Sequence, residues 1–508
     1  MNAKSTLLPV FALIFLFVFN GVDLKAQSLW APTFSGGATN AGTLMQLNTD
    51  GSGFTKVYDF NENNGSSPMG SVIQAANGKV YGTCVNGGAD SSCVIYCFDP
   101  ATNTYTDLWN FDIIHGDFPM SGMIQGPNGI LYGAGSAGGL DSTAGSQGGA
   151  GVIYSFDPAT NTYTELYALT DSVGYAPCGS PLLATDGKLY GLTSGFDFYY
   201  DSMVGFGSIY SYDINAGIYT NLHNFAGVTD GFGFGSLIER SGIFYGMTSG
   251  KPQYAPEIME EAFNFILNPY AAVNQGNLFS YNPATQTYAS LYNFDSVSGG
   301  APYGSLFYAN DGKLYGTTSA GGINNLGVIF SFDITTSTYA KMFDFDNTHG
   351  AAPMGDLMQS TDGNLYGTTS AGGAYGSGVV FRFDPVGLSC TVMNNFDGVS
   401  GSAPLSGALT WINTKAATGI LTPVSNLALS VYPVPAHDYI TVSIPSATGE
   451  SPVFILSDLD GRTVWGPAAP AATGNGEFRL NLDMLESGVY LLRATTGDNV
   501  ITKKIVRE

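Results

Sequence analysis

Apolar and polar residues alternate in four short runs between Ala301 and Asp346, the period of a strand and not of a helix. They predict strand a at 304–308, strand b at 313–319, strand c at 328–332 and strand d at 338–345. Asp311-Gly312 between a and b reads as a type I′ hairpin turn, whose central residues need positive φ. Gly321-Gly322 opens a longer b–c loop, and Asp333 closes strand c in an Asx turn.

This unit recurs. Its strand b phrase, LYGTTSAGG, starts at Leu314 and again at Leu365, with weaker copies from Leu29, Val80, Leu131, Leu189 and Phe244. The aromatic residue ahead of the first glycine falls at Tyr81, Tyr132, Tyr190, Tyr245, Tyr315 and Tyr366, with Trp30 in the corresponding place of the first copy. Four antiparallel strands repeating at about 50 residues are the pattern of a propeller blade. The first copy lacks a strand a, whereas 402–412 is a strand a with no strand b after it. The expected fold is therefore all-β: a seven-bladed β-propeller over 27–412, with six continuous blades and one composite closing blade. Pairing the two orphans removes both open sheet edges. A linker at 413–426 then leads to a small C-terminal β-sandwich over 427–508.

In such a blade the a–b and c–d turns share one face, and the b–c and d–a loops share the other. Tight Asp-Gly, Asn-Gly and Asp-Pro turns fall on the first face. The length variation falls on the second, in b–c insertions at 140–150, 196–206 and 251–275. The last contains EIMEEAFNFIL from Glu257, whose apolar spacing predicts a short helix. Aromatic residues of the repeat itself read as core. Those outside it, Phe196, Phe198, Tyr199, Tyr200, Tyr254, Phe263 and Tyr270, sit in the long loops and are the candidate ligand-binding residues.

Charge removes one class of partner. With 17 basic and 40 acidic residues the net charge is −23, and Lys503-Lys504 is the one basic pair of note. Polyanion binding needs Lys and Arg to displace counterions, so nucleic acid is excluded. At the N-terminal end, Lys4 precedes an apolar run at 7–19, shorter than the roughly 20 residues of a spanning helix. A signal peptide at 1–26, cut before Gln27, is expected, with no membrane span after its removal.

Candidate chemistry is sparse. Asp99, Asp157, Asp213, Asp333 and Asp384 recur at the end of strand c and read as turn caps. Asp197, Asp201, Glu257, Glu260 and Glu261 form a glycosidase pair only where the loops bring two of them within roughly 5–10 Å. His115 and His349 share one d–a loop position, each before a glycine, and read as turn residues. No Ser-His-Asp or Cys-His arrangement stands out, and no metal or cofactor is expected. Cys84 and Cys93 flank one b–c hairpin and are the candidate disulfide of an oxidising exterior, while Cys97, Cys178 and Cys390 read as small buried hydrophobes.

The units resemble the GloVer repeat of "choice-of-anchor" tandem-repeat secreted proteins. The resemblance lies in LYGTTSAGG, the Gly-Val-Ile-Phe that follows from Gly327, and the closing Leu-Tyr-Asn-Phe-Asp from Leu291. It implies a propeller-like extracellular protein and carries no catalytic set. LSVYPVPAHDYITV from Leu429, ILSDLDGRTVW from Ile455 and SGVYLLRATTGDNVITKKIVRE from Ser487 resemble the type A sorting domain of the type IX secretion system of Bacteroidota. Val434 stands where that family usually has Asn. This second resemblance implies recognition of 427–508 by the type IX machinery and a secreted or outer-surface location. The expected function is non-catalytic binding of a protein or glycan through the variable loop face. The alternatives are a glycan-active hydrolase or lyase at the channel mouth, and a structural adhesin or matrix protein.

Overall fold

The computed structural model describes residues 27–89, 93–139, 149–170, 174–197, 202–203, 207–226, 230–250, 275–405 and 409–413. Towards the C-terminal end it describes 430–432, 436–443, 452–457, 463–468, 472–474, 477–483, 485, 488–496 and 499–507. The described residues are all-β, and the chain divides into two compact units, Met1–Ala416 and Ala417–Glu508.

Among the described residues the first unit holds seven antiparallel sheets of the repeat type. The sixth is representative, with strands Phe307–Tyr308, Leu314–Thr318, Val328–Asp333 and Thr338–Asp344 in that order. The first sheet is composite. Gln27–Thr33, Thr43–Leu47 and Thr55–Asp59 supply strands b to d, and Thr410–Asn413 pairs antiparallel with Gln27–Thr33, placing Leu29 opposite Trp411. In the fifth sheet both Phe232–Gly233 and Ile238–Arg240 pair with Ile243–Ser249.

Burial explains the repeated phrase. Strand b of the sixth sheet is buried at all five positions, and strand c at five of six. The glycine of Leu-Tyr-Gly lies opposite an aromatic residue of strand c, as Gly316 does opposite Phe330. A Cβ at Gly316 would stand 2.6 Å from the Phe330 ring, so the ring folds over bare backbone. The same pairing joins Gly82 to Tyr96, Gly133 to Tyr154, Gly191 to Tyr210, Gly246 to Phe279 and Gly367 to Phe381.

Two local expectations are corrected. Strand a is two residues long in the sixth sheet, not five, because the N–H groups that precede it turn to the neighbouring sheet. Ser236 N–H donates to Ser305 Oγ at 2.9 Å, and Ser305 N–H donates to Asp356 Oδ1. The a–b turn is also different. Gly312 has φ +84° while Asp311 does not enter the positive region, and Gly312 N–H donates to Ala309 O at 3.0 Å. That is a three-residue loop in which glycine alone takes the left-handed position. The type I′ pattern occurs at Ser241-Gly242, where both φ values are positive and Arg240 pairs directly with Ile243. The Asx reading of Asp333 holds, since its Oδ1 accepts from Thr335 N–H at 2.8 Å.

Successive sheets share cores. Trp30 and Leu44 of the first pack with Val80 and Phe98 of the second. Tyr315 and Ile329 of the sixth pack with Leu365 and Phe381 of the seventh, and Tyr366 and Val380 of the seventh pack with Leu29 and Met45 of the first. A further cluster draws one residue from ahead of each strand a: Met69, Met120, Cys178, Phe234, Tyr303, Met354 and Leu405.

Among the described residues the second unit has two four-stranded sheets that share one core. Tyr439–Ser443 and Glu477–Asn481 contribute Ile440, Val442, Phe478 and Leu480. Val453–Ser457, Gly488–Thr496 and Asn499–Arg507 contribute Phe454, Leu456, Leu492 and Ile505.

Candidate ligand-binding site

The d–a loop ahead of a sheet pairs with the exit of that sheet's strand b, at Asp117 with Ala137, Gly300 with Ala320 and Ala351 with Ala371. The two loop sets therefore lie together at one end of the sheets. Exposed apolar side chains gather there. Ile113, Ile114, Val297 and Val399 stand on d–a loops, and Ile323 and Tyr375 on b–c loops, with Ile323 80% exposed. Val297 and Ile323 flank an open recess completed by Gln275, Ser296 and Asn325.

Of the candidate aromatic residues, Phe196 begins a short hairpin in which Phe196–Asp197 pairs with Ser202–Met203. Phe198, Tyr199, Tyr200, Tyr254, Phe263 and Tyr270 lie outside the described residues, as do Asp201, Glu257, Glu260, Glu261 and the segment expected to be helical. His115 and His349 each contact an aspartate of their own loop. Each sits three residues after an aspartate that accepts both its backbone N–H and a ring Nδ1 contact, at 2.6 and 2.8 Å for Asp112 and 2.9 and 2.9 Å for Asp346. Among the described residues, no three of His, Cys, Asp and Glu gather as metal ligands.

The Cys84–Cys93 disulfide is contradicted, because both thiols are free. Cys84 pairs across the sheet with Val94, so Cys93, one residue earlier, projects from the opposite face. Cys84 packs in the core between the first and second sheets, and Cys93 in the core between the second and third. The Cys93 thiol donates to Asp117 Oδ1 at 2.8 Å and to Val85 O at 3.0 Å. Burial pushes both thiols well above their ordinary range, and the Asp117 carboxylate adds to the shift at Cys93. Cys97 and Cys178 are buried and Cys390 is half-buried.

A second site was not singled out from the sequence. Two residues past the cluster of Met69, Met120, Cys178, Phe234, Tyr303 and Met354, the segments ahead of strand a present Ser71, Gly122, Ser180, Ser236, Ser305 and Asp356 to one small pocket. Glycines hold these segments together. A Cβ at Gly179 would stand 2.3 Å from Gly235 O, one at Gly235 2.5 Å from Gly304 O, and one at Gly304 2.8 Å from Gly355 O. Asp356 is the carboxylate of this set. Desolvation raises its pKa, and hydrogen bonds from Ser305 partly oppose that. Lining up the A-P-x-G-S copies is the signal that would have found it, since Asp356 stands where Ser71, Ser180, Ser236 and Ser305 stand in other sheets.

No curated protein matches the chain. Among solved structures it is similar to TolB from Acinetobacter baumannii, with 16% identity, TM-score 0.36, and coverage of 61% of this chain and 62% of that one. It is similar to a puromycin-hydrolyzing peptidase of Mycobacterium tuberculosis, with 11% identity, TM-score 0.44, and coverage of 88% and 61%. It is similar to a putative 6-phosphogluconolactonase from Bacteroides uniformis, with 12% identity, TM-score 0.46, and coverage of 72% and 94%. The chain thus spans less than two thirds of the length of the first two. Residues 430–508 match the secretion system C-terminal sorting domain, which makes this a secreted or cell-surface protein that engages the type IX secretion machinery. Residues 18–195 and 268–421, well over half of the chain, match the Gloeobacter/Verrucomicrobia repeat, and the chain belongs to that family.

Proposed function

We propose that the seven sheets close into a seven-bladed β-propeller, and that the exported protein is a non-catalytic binder of an extracellular protein or glycan through its b–c and d–a loop face. Closure is supported by the core that the seventh sheet shares with the first and by the cluster to which all seven sheets contribute. One observation carries the binding reading. Of the nine exposed large apolar residues described in the first unit, six stand on that loop face, and the other three, Ile218, Val386 and Leu388, stand at the opposite turns. Apolar side chains held in water on a rigid scaffold mark an interaction surface.

The test is a glycan and protein array probed with the full chain and with two loop-face variants. In one, 196–206 and 251–275 are replaced by short blade loops. In the other, Val297, Ile323 and Tyr375 become Ser. Binding is expected with the full chain and lost with at least one variant. Binding that survives both variants overturns the proposal.

A further inference from the structure

We propose that the pocket at the start of the strands a binds one hard cation, Ca²⁺ in the extracellular setting, with the Asp356 carboxylate as its charged ligand. Serine hydroxyls of the neighbouring sheets complete the oxygen set.

Three observations converge on it. First, Ser71, Ser180, Ser236, Ser305 and Asp356, from several sheets, line the same small pocket, whose remaining wall is largely Met120, Cys178, Phe234 and Tyr303. It has room for about one water-sized particle. Second, among the described residues no cationic side chain pairs with Asp356. The lysine ion pairs described in this unit, Lys56–Asp59, Lys188–Asp213, Lys313–Asp311 and Lys341–Asp344, all lie elsewhere. Asp356 Oδ1 accepts the Ser305 N–H, which is a neutral donor. A recessed carboxylate with neutral partners alone is costly unless a positive charge offsets it. Third, the Ser121 hydroxyl stands in the same pocket wall with no hydrogen-bond partner among the described residues, although Ser121 is only 6% exposed. A buried hydroxyl left unpaired is costly, and a resident particle that binds oxygen accounts for it.

The oxygen chemistry selects the ion. Ca²⁺ accepts 6–8 oxygens in flexible geometry, which suits hydroxyls contributed by separate sheets, whereas Mg²⁺ demands a near-ideal octahedron. A single carboxylate places the affinity in the weak class of extracellular calcium modules, with a Kd of about 10⁻⁴–10⁻³ M. Because the ligands come from different sheets, the ion ties the sheets together and stabilises the folded state by mass action.

The experiment is calcium titration of the metal-stripped full chain by calorimetry, with thermal unfolding in parallel. One Ca²⁺ per chain is expected at about 5 mM, above the range of weak extracellular sites, together with a rise in Tm that Mg²⁺ does not reproduce. Asp356→Ser restores the residue found in neighbouring sheets, and Asp356→Asn keeps an acceptor for the Ser305 N–H. Both are expected to weaken binding at least about tenfold and to abolish the Tm rise. Absence of calcium binding to the wild-type chain overturns the proposal. So does undiminished binding in either variant, because the ion would then sit elsewhere.

Discussion

Tyr292 and Tyr339 stack face to face across two neighbouring sheets, with ring centroids 3.9 Å apart and planes 4° from parallel. Equivalent stacks join Tyr58 to Tyr105, Trp109 to Tyr163, Tyr167 to Tyr219 and His223 to Tyr288. Strand d of the second, third, fourth and fifth sheets therefore carries two rings, four residues apart, that face different neighbours. In a regular strand they would share a face. A bulge separates them. In the fifth sheet Tyr292 pairs with Leu278 and Ser290 with Phe279, which leaves Leu291 as the extra residue and turns Tyr292 away from Tyr288.

Loss of one stack should therefore loosen two sheets at once. Tyr339 also packs on Phe294 and Phe330, and its hydroxyl donates to Ser298 O at 2.5 Å. Tyr339→Ala is expected to cost about 3 kcal/mol, and Tyr339→Phe about 1 kcal/mol. Urea unfolding at unchanged m-value measures both. Equal costs for the two variants would mean that the hydroxyl, and not the ring, holds the sheets.

The glycines ahead of strand a are held by sterics. Gly235 does not have positive φ, yet a Cβ there would meet Gly304 O at 2.5 Å. Gly235→Ala is expected to cost about 1–3 kcal/mol through overpacking. Gly304→Ala, with 2.8 Å to Gly355 O, should cost less. A lowered Tm in that order, by calorimetry, is the expected reading, and the reverse order would contradict the geometry.

Strand period, the repeat and the pairing of 410–413 with the first strand were legible because alternation and turn chemistry are local. Leu29 to Thr33 reads as a strand b with no strand a, and 402–412 reads as its missing partner. Bulge and register were not legible. Whether Cys93 faces Cys84 depends on the pairing of Cys84 with Val94, a one-residue matter that linear spacing does not encode. Asp356 was hidden for another reason: as a single residue it is an ordinary aspartate, and it becomes distinctive only once the other segments surround it with serines.

The composite sheet carries its own prediction. Ending the chain at residue 400 removes Thr410–Asn413 and leaves Gln27–Thr33 with an open edge. That chain is expected to self-associate with rising concentration, in contrast to one ending at 416. Light scattering after size exclusion separates the two, and equal masses at all concentrations would count against a role for the closing strand.

All five cysteines are expected to react as thiols once the protein is unfolded. In the folded protein Cys84, Cys93, Cys97 and Cys178 are buried, and burial raises the Cys178 thiol to about 11. Thiol titration should find these four silent under native conditions and five thiols per chain in denaturant without reductant. Three thiols per chain in denaturant would restore one disulfide.

Acid should loosen the c–d turns late, at a lower pH than that which protonates ordinary carboxylates. Hydrogen bonds from Ala159 N–H, Ala216 N–H, the Thr335 hydroxyl and Gly387 N–H hold Asp157, Asp213, Asp333 and Asp384 below the usual carboxylate range. A carboxyl depressed on folding contributes stability that is complete above the unfolded value of about 3.9 and disappears as pH falls through the lower folded value. Asp333→Asn keeps an oxygen acceptor for the Thr335 N–H but does not titrate. Wild type is therefore expected to have the higher Tm at neutral pH, and the gap should narrow as pH drops below about 4 and vanish once Asp333 is protonated. A gap that stays constant from neutral to acid would show that charge on Asp333 contributes nothing and that the turn is held by its geometry alone.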